Sequence, residues 1–354
     1  MKKSLITVAV ASGLLVSGAA FADDTTVYGL AQFEVGSWGG DMTGIQTADN
    51  GDGRLGVKSK EDLGEGMAAL AKLEYGLDTT GNTGTALKAR ETWVGLKTGM
   101  GTVELGRIKS AYKYFGGVNY DPYNATLLQA RGNGGMTGKV GNGGAFGQNG
   151  FLSTSMGYSM AMGAVNFRLT YDPDNGGPVT KPGSATGAKG KTLGFGFNGG
   201  NFGVIFAYAD DGVTAGGGST NYKSTKVGGM YNMGGAGKIS AQYESSKFDG
   251  GTASTTVKTT YLDYQFNIDH SNGVDVALGS MKPDATGAQT EKFSRVAFTH
   301  KLSNKTKVWV GYRGTDTGYS LGDVNAPTAA EVAGLAPMTS GKQSVIALGM
   351  MKKF

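Results

Sequence analysis

Apolar and polar residues alternate one by one along segment after segment of this chain. In TTYLDYQFNID, residues 259–269, Leu262, Tyr264, Phe266 and Ile268 share one face, and Asp263, Gln265, Asn267 and Asp269 share the other. KISAQYESSK sets Ile239, Ala241 and Tyr243 against Ser240, Gln242, Glu244 and Ser246. The C-terminal SVIALGMMKKF puts Ile346, Leu348, Met350, Lys352 and Phe354 on one side and Val345, Ala347, Gly349, Met351 and Lys353 on the other. A period of two belongs to a strand whose faces meet different surroundings. About sixteen such segments, from 26–37 to 342–354, come close to the ~9–11 residues of a tilted membrane strand.

Alternation alone admits two architectures. In a β-sandwich the apolar faces point inward, and in an outer-membrane barrel they point outward to lipid. The connections discriminate between them. DLGE, TGMG, NGGN, MGGAG, HSNG and SNK are tight Gly- and Asn-rich links, and they alternate with long ones such as 38–51, 79–87, 110–150, 173–190 and 317–341. Short turns at one rim and long loops at the other predict an all-β, sixteen-stranded antiparallel transmembrane barrel, with periplasmic turns and extracellular loops. An even strand count puts both ends at one rim, so the last strand can pair with the first and leave no open edge. Phe354 is expected to close that seam at the membrane interface, where an aromatic ring is well placed.

The chain starts with MKKSLITVAVASGLLVSGAAFA: two lysines, a short apolar stretch, then Ala20-Phe21-Ala22. This is the layout of a cleaved secretory signal over 1–22, leaving 23–354 as one exported barrel domain. No other segment approaches the ~20 apolar residues of a membrane helix. The formal charge of +5 falls to about +3 without the signal, too little to imply nucleic acid. There is no Cys and there are 2 His, so neither disulfides nor a His/Cys zinc site is expected, and no cofactor. GGAGKIS at 234–240 has Asn232 where a phosphate loop needs its first glycine, and reads as a turn. Nothing assembles an acid, base and nucleophile, so no enzyme is expected.

Three stretches carry a family likeness: GRLGVKSKEDLGEGMAALAKLEYGL at 53–77, ARETWVGLKTGMGTVELGR at 89–107, and the terminal Phe354. VYGLAQFEVG, residues 27–36, fits a first strand. Together they resemble the general porins, the trimeric sixteen-stranded diffusion channels of Gram-negative outer membranes. The resemblance implies a homotrimer in contact with outer-membrane lipid and lipopolysaccharide, a C-terminal Phe354 read by the barrel-assembly machinery, and a third loop, 110–150, folded into the channel. It also implies acidic residues on that loop facing a cluster of arginines. By motif, Arg54 and Arg90 match two cluster positions, while Ser159 stands where the family often has another arginine. Arg54 shares a face with Lys58, Lys72 and Glu74 lie on the polar face of the next strand, and Asp121 is the loop's acidic candidate. Arg131 adds a positive charge to that loop.

Arg54, Lys58, Lys72, Glu74, Arg90 and Asp121 are therefore the expected pore constriction. Arg107 shares a face with Val103 and Leu105, and Glu91 sits beside Trp93; both are expected at a subunit interface rather than in the lumen. The expected function is passive diffusion of small hydrophilic solutes and ions, with a weak anion preference because basic candidates outnumber acidic ones. The alternative is a substrate-specific channel for organic anions or sugars, with Tyr112, Tyr114, Phe115, Tyr120 and Tyr123 as stacking platforms. A barrel enzyme or adhesin stands further off.

Overall fold

Sixteen antiparallel strands follow one another around a closed sheet in the computed structural model: β1 Asp24–Gly40, β2 Arg54–Gly64, β3 Met67–Leu77, β4 Leu87–Thr98, β5 Gly101–Lys109, β6 Phe151–Met162, β7 Val165–Asp172, β8 Gly190–Asn198, β9 Phe202–Asp211, β10 Gly218–Asn232, β11 Gly237–Asp249, β12 Ser254–Asn267, β13 Asn272–Pro283, β14 Glu291–Ser303, β15 Thr306–Thr315 and β16 Gln343–Lys353. Two further short strands, Gly44–Ala48 and Val213–Ala215, only extend hairpins beyond β1 and β10. The structure describes residues 24–40, 44–48, 53–80, 87–116, 120–130, 151–173, 190–211, 213–215, 218–249, 254–284, 290–316 and 343–354. The expected signal, Arg131 and the rest of 131–150 lie outside those residues.

The predicted strands recur within a few residues, and the reason is the side-chain period. Leu262, Tyr264, Phe266, Val276, Leu278, Val296, Phe298, Ile346 and Leu348 stand exposed on the outside, while Asp263, Asp275, Arg295 and Arg313 are buried inside. Apolar-out and polar-in is the barrel arrangement; a sandwich would reverse it. Ten residues at ~3.3 Å, tilted ~45°, span roughly 23–25 Å, the height of a membrane's apolar band.

Closure falls to β1. Its first half pairs with β2, from Asp24↔Lys60 to Leu30↔Arg54, and its second half pairs with β16, from Leu30↔Lys353 to Gly40↔Gln343. Phe354 completes the seam: its N–H donates to the Gly29 carbonyl at 3.1 Å, and its own carbonyl accepts from the Gly29 N–H at 3.2 Å. The tip of the Phe354 ring fills the space beside Gly29, so that a Cβ there would come within 2.0 Å of its Cζ. Short turns close the hairpins at the same rim as Phe354. In one, the Asp269 carboxylate accepts from the Asn272 side chain and from the Ser271 and Asn272 amides, which lowers its pKa.

After β5 the chain turns inward. A single helical turn, α1 (Ala111–Tyr114), is capped by Ser110, whose Oγ accepts from the Lys113 N–H at 3.0 Å. Tyr112 and Phe115 then pack on the small residues Ala207 and Ala209 of β9. Further along, Tyr123, Leu127 and Leu128 pack on Ala297, Trp309, Val345 and Ala347 of β14–β16. The buried apolar core of this protein therefore lies inside the barrel, between loop and wall.

The seam yields a test. Gly29→Leu should drive a side chain into the Phe354 ring and sharply lower the yield of heat-modifiable, folded barrel on refolding into detergent. Normal refolding of Gly29→Leu would show that the ring contact is dispensable for closure.

Candidate channel constriction

The described part of the third loop is fastened to one arc of the wall by polar contacts. The Tyr112 hydroxyl donates to Glu244 Oε2 at 2.5 Å, and Ser240 Oγ donates to the Tyr120 carbonyl at 3.2 Å. Gln32 Nε2 donates to the Ala125 carbonyl at 2.6 Å. Glu34 accepts from the Leu127 N–H at 2.8 Å and from Trp309 Nε1 at 3.0 Å. At the centre stands Arg295, fully buried, whose guanidinium meets Asp121, Asp263 and Asp275, each at 2.7 Å. It also donates to the Leu128 carbonyl at 3.1 Å, and the neighbouring Arg313 donates to the Leu127 and Gln129 carbonyls. The guanidinium thus ties a loop carboxylate to two carboxylates of the wall, and removing one partner of such a buried pair costs several kcal/mol.

Asp121 therefore does not stand in the channel opposite the arginines, as the loop's acidity suggested. Its Oδ1 accepts from Arg295 and from the Tyr123 N–H at 3.0 Å, and its Oδ2 accepts from the Ala130 N–H at 2.9 Å. The carboxylate is the loop's fastening to β14. The aromatic cluster is similarly used up: Tyr112, Phe115, Tyr120 and Tyr123 are buried, and only Tyr114 remains exposed.

The opposite arc, β2–β7, carries the charges that line open space. Arg54 and Lys58 point inward from β2, with Leu55 and Val57 outward, and Lys58 Nζ lies 4.7 Å above the Tyr28 ring. Glu74 accepts from Arg90 Nε at 2.9 Å and from the Tyr28 hydroxyl at 2.8 Å, with Lys72 Nζ at 3.5 Å. Glu91 was expected on the outer wall, and the structure overturns this. Glu74 pairs with Glu91 but Tyr75 pairs with Ala89, so Arg90 is the extra residue of a β-bulge. A bulge breaks the alternation, and Arg90 and Glu91 both turn inward. Glu91 is buried, paired with Lys72 and with Lys109 Nζ at 3.1 Å.

Arg107 does face outward. Its Nη1 donates to Ser153 Oγ at 2.5 Å and its Nε to the Ala89 carbonyl at 3.2 Å. A second irregularity, between Gly106 and Ile108, lets Lys109 reach the lumen. Sequence reasoning passed over Lys109, Lys113, Glu104 and Arg168. Arg168 stands directly opposite Ser159, so the cation expected on β6 is supplied by β7, where it grips Glu104 bidentately at 2.6 and 3.2 Å. Its position in NFRLTYD, polar-in between Phe167 and Leu169, was a legible signal.

Two cavities run between this wall and the loop. The larger, ≈ 550 Å³, is lined by Arg54, Arg90, Lys109, Lys113 and Tyr114, with no carboxylate among its described lining residues. The smaller, ≈ 440 Å³, is lined by Lys58, Lys72, Glu91, Glu104, Arg168 and again Lys109 and Tyr114. Lys109 and Tyr114 thus mark where the two meet.

A sixteen-stranded barrel with outward apolar faces, an inward-folded loop and a charged passage beside it defines an outer-membrane channel. A family profile described as Gram-negative porin matches residues 7–318, and the chain belongs to that family. It is 37% identical to major outer membrane protein P.IB of Neisseria gonorrhoeae over 123 residues, covering 32% of this chain and 34% of that one. The P.IB of Neisseria meningitidis serogroup A is 33% identical over 129 residues, 34% of this chain and 37% of the relative. The matched stretch is thus about a third of each relative. Among solved structures, the anion-selective porin from Comamonas acidovorans superposes with a TM-score of 0.72 at 18% identity, over 94% of this chain and 99% of that one. The trimer form of OmpT, an outer membrane protein of Vibrio cholerae, gives 0.66 at 14% identity, over 94% and 99%. The protein is an outer-membrane porin.

Arg295 offers the sharpest test of the loop's fastening. Arg295→Met leaves three buried carboxylates without their cation, a change expected to cost ~3–5 kcal/mol. Thermal unfolding in detergent should shift down, and single-channel conductance should rise as the loop comes off the wall. Unchanged conductance with lowered stability would mean the loop is held without Arg295.

Proposed function

We propose that the barrel is a water-filled channel for passive diffusion of small hydrophilic solutes and ions, with a weak preference for anions. The observation that carries this reading is the lining of the larger cavity: four cations, Arg54, Arg90, Lys109 and Lys113, and no described carboxylate. Along the rest of the passage Lys58, Lys72 and Arg168 face Glu74, Glu91 and Glu104, which cancel much of one another's field at short range. Arg90 is paired with Glu74 and Lys109 with Glu91, but the basic residues lining the two cavities outnumber the carboxylates Asp24, Glu91 and Glu104. Fixed charges beside low-dielectric protein act on a passing ion more strongly than in bulk water, so this excess of cations sets the sign. The Comamonas neighbour is described as anion-selective, which is the same sign. Of the five loop aromatics only Tyr114 stays exposed, which leaves one ring rather than the series of stacking platforms that a sugar-specific channel would use.

The assembly is a homotrimer in this reading, with the outward Arg107 at the contact between copies; the Vibrio cholerae fold neighbour is described in a trimer form. The outer wall meets membrane lipid and lipopolysaccharide, and the C-terminal strand ending in Phe354 is the segment engaged by the barrel-assembly machinery.

The zero-current potential of the protein in a planar bilayer, under a potassium chloride gradient, should have the anion-selective sign. Arg54→Ala plus Lys113→Ala should move it toward zero, and more so at low salt, because screening at ~0.1 M acts over about 10 Å. A cation-selective wild-type potential would sink the anion preference, and saturating solute flux would favour the substrate-specific alternative.

A further inference from the structure

One aromatic ring gathers cations of the passage without lining it. The centre of the Phe151 ring lies 4.7 Å from Lys113 Nζ, 5.1 Å from the Arg90 guanidinium and 5.8 Å from the Arg107 guanidinium. No other described ring takes more than two cations at such distances. Phe151 is also the direct cross-strand partner of Lys109. Arg90, Lys109 and Lys113 line the larger cavity, whereas Phe151 is absent from the described lining of either cavity. A passing ion meets the cations first, so the ring acts on it through them.

The backbone is shaped to put the ring there. Ser153 and Thr154 stand unpaired opposite the single residue Arg107, between the pairs Ile108↔Leu152 and Gly106↔Ser155. Thr154 has φ 55°, a left-handed conformation that β-branched residues rarely adopt. A bulge of this kind re-aims the side chains beside it. Together with the bulge at Arg90, it brings cations from two strands to one ring. Lys113 arrives from the loop, in the last turn of α1. Like charges gathered this closely repel one another. A carboxylate can hold such a cation, as Glu74 holds Arg90, but it also cancels the charge it holds. An aromatic face attracts the cation through its quadrupole and carries no net charge, so the positive field survives.

We propose that Phe151 is a positioning residue for ion selectivity, its ring holding Lys113 and Arg90 at the wall of the larger cavity as fixed positive charges. The inference rests on the channel reading and deepens it by naming what keeps the cavity's cations in place. Lys113 depends on the ring most, because its ammonium sits on a flexible four-carbon stem. Released from the ring, it swings into the wider lumen, where water and salt screen it.

The test changes the ring's electron density while keeping its shape. In the full-length protein, Phe151 is replaced by mono-, di- and trifluorophenylalanine through site-specific incorporation, a series that drains the negative face of the ring. Phe151→Leu and Phe151→Trp are made alongside. The zero-current potential under a potassium chloride gradient should shift stepwise toward cations with each fluorine. It should shift furthest in Phe151→Leu and stay near wild type in Phe151→Trp. A water-soluble acylating reagent should modify Lys113 about two- to fivefold faster in the trifluoro protein, because the native ring favours the ammonium over the reactive neutral amine. A trifluoro protein with the wild-type potential, or with wild-type Lys113 reactivity, overturns the proposal. It does so even if Phe151→Leu shifts both, since Leu would then report lost packing alone. If the wild-type channel proves cation-selective, the anion preference falls, and the stepwise shift still decides for or against the ring.

Discussion

In hydrocarbon there is no water to pair with a peptide group, and each unsatisfied N–H or C=O costs several kcal/mol. A sheet inserted there must have no edge. This chain meets that requirement with β1, which divides its length between β2 and β16, and with Phe354, which carries the last two backbone bonds to Gly29. Every other feature follows from closure. Once the sheet is a ring, alternate side chains have only two places to go, lipid or lumen, and the lumen must be filled or left wet.

The lumen is filled on one arc and left charged on the other. Around Arg295, Glu34 and Glu244 the charges are buried and point at loop backbone or loop side chains, so they serve to position the loop. Such groups are expensive to desolvate and are stable only when each partner is met, which gives the loop one place to sit. Along β2–β7 the ion pairs line open cavities instead. There the same residue types act on whatever passes, and small excesses of one sign matter more than the total number of charges.

The glycine-rich composition takes its meaning from this filling. Gly194 on β8 has no side chain because the Phe115 ring occupies that space; a Cβ would come within 2.4 Å of it. The loop approaches the wall closely only where the wall presents glycine or alanine, as at Ala207 and Ala209 beneath Tyr112. In a soluble protein these small residues would weaken the strands; here they shape the inner surface.

By itself the sequence determined the strand count, the inside and outside of each strand, and the presence of one long loop. These depend on a local period of two and on connection length, which any ten-residue window displays. Arg54, Lys58, Lys72 and Glu74 were legible for the same reason: regular strands keep parity. Tertiary structure alone decided the rest. Glu91 was misplaced because one bulge residue, Arg90, inverts parity without any local mark in ARETW. Asp121 was misplaced because its partner, Arg295, lies 174 residues away, and which arc a loop leans on is set by complementary packing across the barrel.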